Sequence, residues 1–339
     1  MKKKNIFILV FMLLAAGILV SFSGRARDGA AMGLALAQNT IIPSLLPLLM
    51  IFLIIMKTGA KDVLSKCFGF ISTYIFNLPM VTFPAIFFGM TGGYPTGALL
   101  TNELLLSGEI DEKQARRLLR FNFCGGAGFI ITAVGTAVMG DTGTGVILFL
   151  SNVLSSVLIG FILSFTEKRN PKNFYSFTED INFGDALADA TESAVKSVLN
   201  ITAFIVLFSA LNNIVTLPES IIPAVEITSG ICKDFSSSAS QIAAYLSFGG
   251  LCIHFQIYSV IIRAKMKYYD FLFFRIIGAF LSYAISKLLF FLFPSDISVF
   301  SNSSMHTAEI SSVNIALSFL MVIGCFILVF DLSSRKKYV

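Results

Sequence analysis

The chain has 339 residues, of which 55% are hydrophobic and only 13% charged, and its mean hydropathy is +0.81. An ordinary soluble domain carries about a quarter charged residues, so a chain this apolar cannot cover a water-facing surface. Composition therefore excludes a secreted or cytosolic globule, a nucleic-acid binder and a disulfide scaffold, and points to an all-α polytopic membrane protein.

Met1 to Val20 is three lysines followed by an apolar run, with Arg25 and Arg27 just beyond. A cleaved signal peptide has a similar profile, but the run is longer than a usual signal core and lacks a clear small-residue cleavage site. A retained first span is the expectation. Further spans are expected over 34–56, 143–165, 198–216, 268–293 and 311–331, each of ordinary transmembrane length.

The stretches between them are interrupted. Residues 79–107 and 218–236 are apolar but broken by Pro, Gly, Ser and Thr, and read as two re-entrant hairpins. Residues 113–139 and 239–262 carry glycines at their centres, at Cys124 to Gly128 and at Phe248 to Gly250. Both read as broken helices, because glycine weakens helix and lets neighbours approach. Unpaired backbone facing lipid is prohibitive, so each break must be buried in protein or line a cavity. With about eight transmembrane helices plus the two hairpins, both termini fall on the cytoplasmic side. That layout puts 20 of the 25 basic residues there, as the positive-inside rule expects.

The halves resemble each other. Phe83-Pro84-Ala85-Ile86 pairs with Ile222-Pro223-Ala224-Val225, and Ala115–Gly126 pairs with Ala239–Gly250. The order span, hairpin, broken helix, span recurs over 34–165 and 193–293, in opposite orientations. An inverted-topology repeat with discontinuous helices is a transporter signature, with the substrate site where the breaks converge.

The candidate site follows. At the first tip, Thr91, Gly92, Gly93, Tyr94 and Thr96 surround a turn whose glycines free the backbone and whose Pro95 suits the start of a returning half-helix. Such a helix start offers unpaired amides to a carboxylate; a simple packed turn is the competing reading. Thr228, Ser229 and Gly230 form the corresponding second turn, and Ser236 to Ser238 read as a helix cap. Gly125, Gly126, Gly249 and Gly250 mark the breaks, with Asn122 and Gln256 beside them. Asn102, Glu103 and Glu226 lie at membrane depth, where a carboxylate needs a partner or water. Arg275 and Lys287 are the basic residues expected to supply it.

The remaining features read as structure. Glu109 to Arg120 is a helix start with its acids near the N-terminus, whose Arg116, Arg117 and Arg120 could also attract an anion. Five scattered cysteines and two histidines, His254 and His306, suggest packing, not a metal or redox site, and no pattern calls for a cofactor. HExxH, GxSG and GxGD are all missing, so enzyme activity is not expected.

The segment Gly89-Met90-Thr91-Gly92-Gly93-Tyr94-Pro95-Thr96-Gly97-Ala98, the run Ala115-Arg116-Arg117-Leu118-Leu119 and the run Gly128-Phe129-Ile130-Ile131 occur in that order. Together they resemble the YlbJ family of sporulation integral membrane proteins. That family lies in the nucleoside-recognition, or gate, domain group related to concentrative nucleoside transporters. The resemblance is densest over 79–140. It departs from the group, which carries Asn at or near the positions of Gly125 and Gly126 and Pro near that of Gly128; here all three are glycines, with no side chain to make a contact. The resemblance implies movement of dipicolinic acid from the mother cell across the outer forespore membrane. The expected partners are then a small anionic solute, the bilayer, and a coupling ion or proton. A nucleoside carrier and a non-transporting scaffold for spore assembly stay open as alternatives.

Overall fold

The computed structural model describes residues 3–166, 182–215, 218, 221–232 and 237–293. The expected span 311–331 and residues 219–220 and 233–236 of the hairpin 218–236 lie outside them. Every regular element among the described residues is helical. Among the described residues, four helical stretches are long and apolar enough to cross a membrane: Ser23–Lys57, Thr142–Ser164, Phe183–Ile214 and Tyr268–Leu292. Counting the bent pair described below as one span makes a fifth.

Helix α1 (Lys3–Ser21) leads into α2 (Ser23–Leu36), which continues through a π turn at Ala37–Ile41 into α3 (Ile42–Lys57). The sequence reading separated Arg25 and Arg27 from the span at 34–56, but the helix runs through them. The next element, α4 (Ala60–Phe76), was not expected as a helix. Its buried positions Lys61, Ser65, Gly69, Ser72 and Phe76 recur at helical spacing, but most are small or polar and so evade a hydropathy scan. A bend of 102° joins it, through a 3₁₀ turn at Met80–Thr82, to α5 (Phe83–Gly92). Asn77 makes the stop by adopting the left-handed conformation, φ 52°.

Helix α5 pairs with α6 (Thr96–Leu106), and α7 (Glu112–Phe121) follows. Residues 122–126 carry no helix, and a π-helix takes over at Gly128–Val138. The break expected inside 113–139 is therefore present. Helix α8 (Thr142–Ser164) completes the first part, and α9 (Phe183–Ile214) follows. The short α10 (Ile222–Val225) and α11 (Ile227–Cys232) precede α12 (Ala239–Phe248), which stops at Gly249. There α13 (Gly250–Gln256) resumes, followed by α14 (Tyr258–Arg263) and α15 (Tyr268–Leu292). Capping boxes open α7 and α12: Asp111 with Gln114, and Ser238 with Gln241.

Helix α15 turns mostly small and polar residues inward and large apolar ones outward. On α15 the buried stripe is Phe271, Arg275, Gly278, Ser282 and Ser286, while Phe273, Phe280 and Phe291 face outward. Small residues let backbones approach where apolar burial gives no drive. Hydroxyls then bond across helices: Ser155 to Gly278 O at 3.1 Å and Ser282 to Ala243 O at 3.0 Å.

Charged residues fasten one end of the bundle. The cluster Glu109 to Arg120, read as a solvated helix start, is partly buried instead. Lys61 Nζ lies 2.6 Å from Glu109 Oε1, with both side chains almost wholly enclosed. Arg117 donates to Phe76 O and Leu163 O, the last carbonyls of α4 and α8. Arg120 pairs with Asp270 at 2.7 Å and Lys265 with Glu112 at 2.6 Å.

Asp141 caps α8, accepting from Gly143 N at 3.1 Å and from Thr144 N and Oγ1 at 2.7 Å each. Those bonds, the Thr144 hydroxyl first, hold its carboxyl below the usual carboxylate range. The cap stabilises at pH above the unfolded carboxyl value, about 3.9, and fades as pH falls through the lower folded one. Asp141→Ala is expected to cost about 1 kcal/mol at pH 7 in equilibrium unfolding of the detergent-solubilised protein. The gap between variant and parent should close towards acid pH.

Candidate functional site

The first tip is held by backbone contact. Helix α5 ends at Gly92, Gly93 takes a left-handed φ of 88°, and Pro95 opens α6 after a cis peptide bond. Tyr94 N donates to Cys124 O at 2.7 Å, tying the tip to the unwound segment 122–126. A Cβ on Gly93 would lie 2.3 Å from Gly126 N, and one on Gly126 would lie 2.8 Å from Gly92 O. These glycines are required for close approach, and the tip is not an open cradle of amides. Asn122 reinforces the contact from below, with Nδ2 donating to Ala85 O at 2.8 Å.

The second break is built alike. Gly249 and Gly250 adopt φ values of 86° and 73°. A Cβ on Gly250 would meet Ile227 N and Pro223 O at 3.2 Å, and one on Gly249 would strike the Phe123 ring. The interruption between α10 and α11 falls at Glu226 rather than at Thr228 to Gly230, which lie within α11. Gly230 packs α11 onto Pro223. The polar Glu226 side chain displaces the expected turn by accepting from Thr228 N at 2.9 Å.

A cavity lies where the two breaks meet, leaving about 650 Å³ of atom-free space, part of it open to the surroundings. Thr91, Gly92, Tyr94 and Gly126 line it from the first part, and Glu226, Thr228 and Gln256 from the second. Leu45 and Leu48 of α3 and Ile201 and Ile205 of α9 add an apolar wall. That composition, apolar walls with a few converging polar groups, is the ordinary make-up of a small-molecule site. The buried Tyr94 hydroxyl and Gln256 Oε1 have no hydrogen-bond partner among the described residues. Thr96 Oγ1 shares that state in the shell behind.

Other candidates stand elsewhere. Asn102 accepts from Arg263 at 2.7 Å, and Glu103 lies 3.8 Å from Lys57. Neither basic residue expected near the carboxylates reaches them. Arg275 is buried, donating to Phe123 O at 3.1 Å and to Arg120 O, with its guanidinium 4.6 Å from the Phe123 ring centroid. It secures the unwound segment from α15. Lys287 is exposed, its Nζ 4.9 Å from the Tyr283 ring centroid. His254 bonds Tyr268 and Phe248 O, as a packing residue would. The side chain of Ser229 lies outside what is described. Among the described residues no three His, Cys, Asp or Glu side chains converge as metal ligands.

The chain resembles the sporulation integral membrane protein YlbJ of Bacillus subtilis (strain 168), at 23% identity over 238 residues. It is a distant YlbJ relative. The aligned part is 64% of this chain and 58% of that protein, so the chain spans less than two thirds of the relative's length. No family model and no solved structure matches. With its apolar helices, the relationship makes this an integral membrane protein related to a sporulation protein.

Gly93 and Gly108 both have positive φ, but a Cβ on Gly108 meets nothing within 4 Å. Gly108→Ala is therefore expected to cost about 1 kcal/mol. Gly93→Ala adds a backbone clash and should cost about 3 kcal/mol or more. Thermal unfolding of the two variants in detergent compares them directly.

Proposed function

We propose that the protein is a transporter or facilitator that carries a small organic acid across a membrane during sporulation. The observation that carries this reading is the cavity between the two breaks, walled by both halves of the chain. Capping boxes open α7 and α12, and a glycine-mediated break follows each helix. Those parallels support the inverted repeat over 34–165 and 193–293, and with it eight crossings, two re-entrant hairpins and cytoplasmic termini. In such carriers the substrate binds near the midplane between the repeats.

The relative's name supplies the sporulation context. The motif resemblance adds dipicolinic acid as substrate and the outer forespore membrane as location. Tyr94, Thr228 and Gln256 offer it hydrogen bonds, and the apolar wall offers its ring a surface. A second reading is a nucleoside carrier. It is favoured by a lining that holds Glu226 but no lysine or arginine among the described residues, as a neutral solute would require.

Gly128 lines the cavity, and a Cβ there meets nothing within 4 Å. Gly128→Leu therefore fills the cavity without disturbing its walls. Proteoliposomes of the parent should take up labelled dipicolinate saturably, and Gly128→Leu should lower that uptake at least tenfold while unfolding at an unchanged temperature. Uptake of uridine alone would establish the nucleoside reading. Neither flux, in tight vesicles holding folded protein, would favour a scaffold.

A further inference from the structure

A second hollow lies on the outer surface, between α13–α14 and the start of α15. Leu251, His254, Phe255, Tyr258 and Tyr268 line it, and it encloses about 660 Å³ of atom-free space, part of it open to the surroundings. Leu251 follows the break at Gly249 and Gly250, whereas Tyr258 opens α14. The groove therefore climbs about 10 Å from the depth of the break towards the charged end of the bundle.

Its two ends differ in chemistry. The deep end is apolar. Phe255 stands exposed there, and the buried His254 has both ring nitrogens engaged, Nδ1 with the Tyr268 hydroxyl at 3.0 Å and Nε2 with Phe248 O at 2.9 Å. At the other end Tyr258 and Tyr268 meet edge to face, their ring centroids 6.1 Å apart. Arg263 closes α14 and Lys267 directly precedes Tyr268, and both are exposed. The carboxylates of this end are engaged elsewhere: Glu112 lies 2.6 Å from Lys265, and Asp270 lies 2.7 Å from Arg120. Arg263 and Lys267 hold neutral partners instead. Arg263 donates to Asn102 Oδ1 at 2.7 Å, and Lys267 Nζ lies 5.5 Å from the Tyr269 ring centroid.

A hollow on a lipid-facing surface fills with whatever matches its walls, because an empty one forfeits dispersion contacts. Tyrosines suit the level of the headgroups, and basic residues beside a cleft between helices hold anionic ones. A free anion would leave the apolar end unused. A lipid without net charge would leave Arg263 and Lys267 without a counter-charge. We infer that the groove binds an anionic phospholipid. One acyl chain lies along Leu251 and Phe255, and the phosphate sits beside Arg263 and Lys267 with the Tyr258 hydroxyl as a further donor. The site is separate from the cavity between the breaks and does not depend on transport.

The chain contains no tryptophan, so Phe255→Trp places a single fluorophore in the groove. Phe280→Trp places one on the outward face of α15 as a control. Each full-length variant is reconstituted in mixed phosphatidylglycerol and phosphatidylcholine vesicles, with bromine on the acyl chains of one lipid or the other, and quenching reads which lipid is adjacent. Phosphatidylglycerol should be favoured about fivefold or more at Phe255→Trp, but only within about twofold at Phe280→Trp. Adding Arg263→Gln and Lys267→Gln should bring the groove down to the control value. Lys267→Gln alone, which leaves the Arg263–Asn102 bond in place, should lower the preference at least about twofold and decides the matter if the double change lowers the unfolding temperature. Equal preference at the two reporters, or a preference that survives loss of both charges, would overturn the inference. So would absence of quenching by either lipid at Phe255→Trp, which would mean that protein fills the groove. Loss of the preference on adding glycerol phosphate at constant ionic strength would reassign the site to a free phosphate compound and overturn the lipid.

Discussion

The structure depends on one constraint: a helix interrupted inside an apolar layer must hand its exposed backbone to other protein groups. Here the hand-over occurs at van der Waals distance between backbones. Gly93 lies against Gly126, Tyr94 N bonds Cys124 O, and Gly250 lies against the interruption between α10 and α11. A Cβ on Gly93 or Gly126 would prevent the first of these approaches. The cavity exists because these contacts hold the two breaks open towards each other without exposing peptide groups to lipid.

The polar side chains divide into two kinds of work. Arg275 and Asn122 secure the unwound segment by donating to Phe123 O and Ala85 O. Arg117 does the same for the ends of α4 and α8. Among the described residues, Ser44, Thr91, Tyr94, Glu226, Thr228 and Gln256 combine polarity with a place in the wall. A guanidinium bound to carbonyls within the bundle is held by structure, and its positive charge is not offered to a solute. That distinction leaves Glu226 as the one charged side chain in the wall among the described residues.

Much of the fold was legible in the sequence because glycine and proline punctuate it. The helix breaks near Gly125 and Gly249, the cap at Ser238 and the spans 143–165 and 268–293 follow from residue type and apolar length. Helix α4 was not legible, since its buried stripe is small and polar and its lysines suggest a loop. Of the glycines expected at the candidate site, Gly92 and Gly126 line the cavity, whereas Gly93, Gly125, Gly230, Gly249 and Gly250 do not. Thr91, Gly92, Tyr94, Gly126, Thr228 and Gln256 do line one cavity. The glycines, however, serve backbone contact, and the second interruption sits at Glu226. Pairing Glu103 and Glu226 with Arg275 and Lys287 rested on charge alone. Sequence does not reveal that carbonyls claim Arg275 and that Lys287 faces outward. The one signal that marked Glu226 was its isolation as a carboxylate in an apolar run.

The central claim is that solute occupies the space between the two breaks. Thr91 lines that space, so a Thr91→Cys variant in a cysteine-free background reports on it through its rate of maleimide labelling. The account predicts that dipicolinate slows this labelling saturably, while labelling of a cysteine placed at exposed Tyr269 is unchanged. Equal labelling of Thr91→Cys with and without saturating dipicolinate or uridine would contradict it.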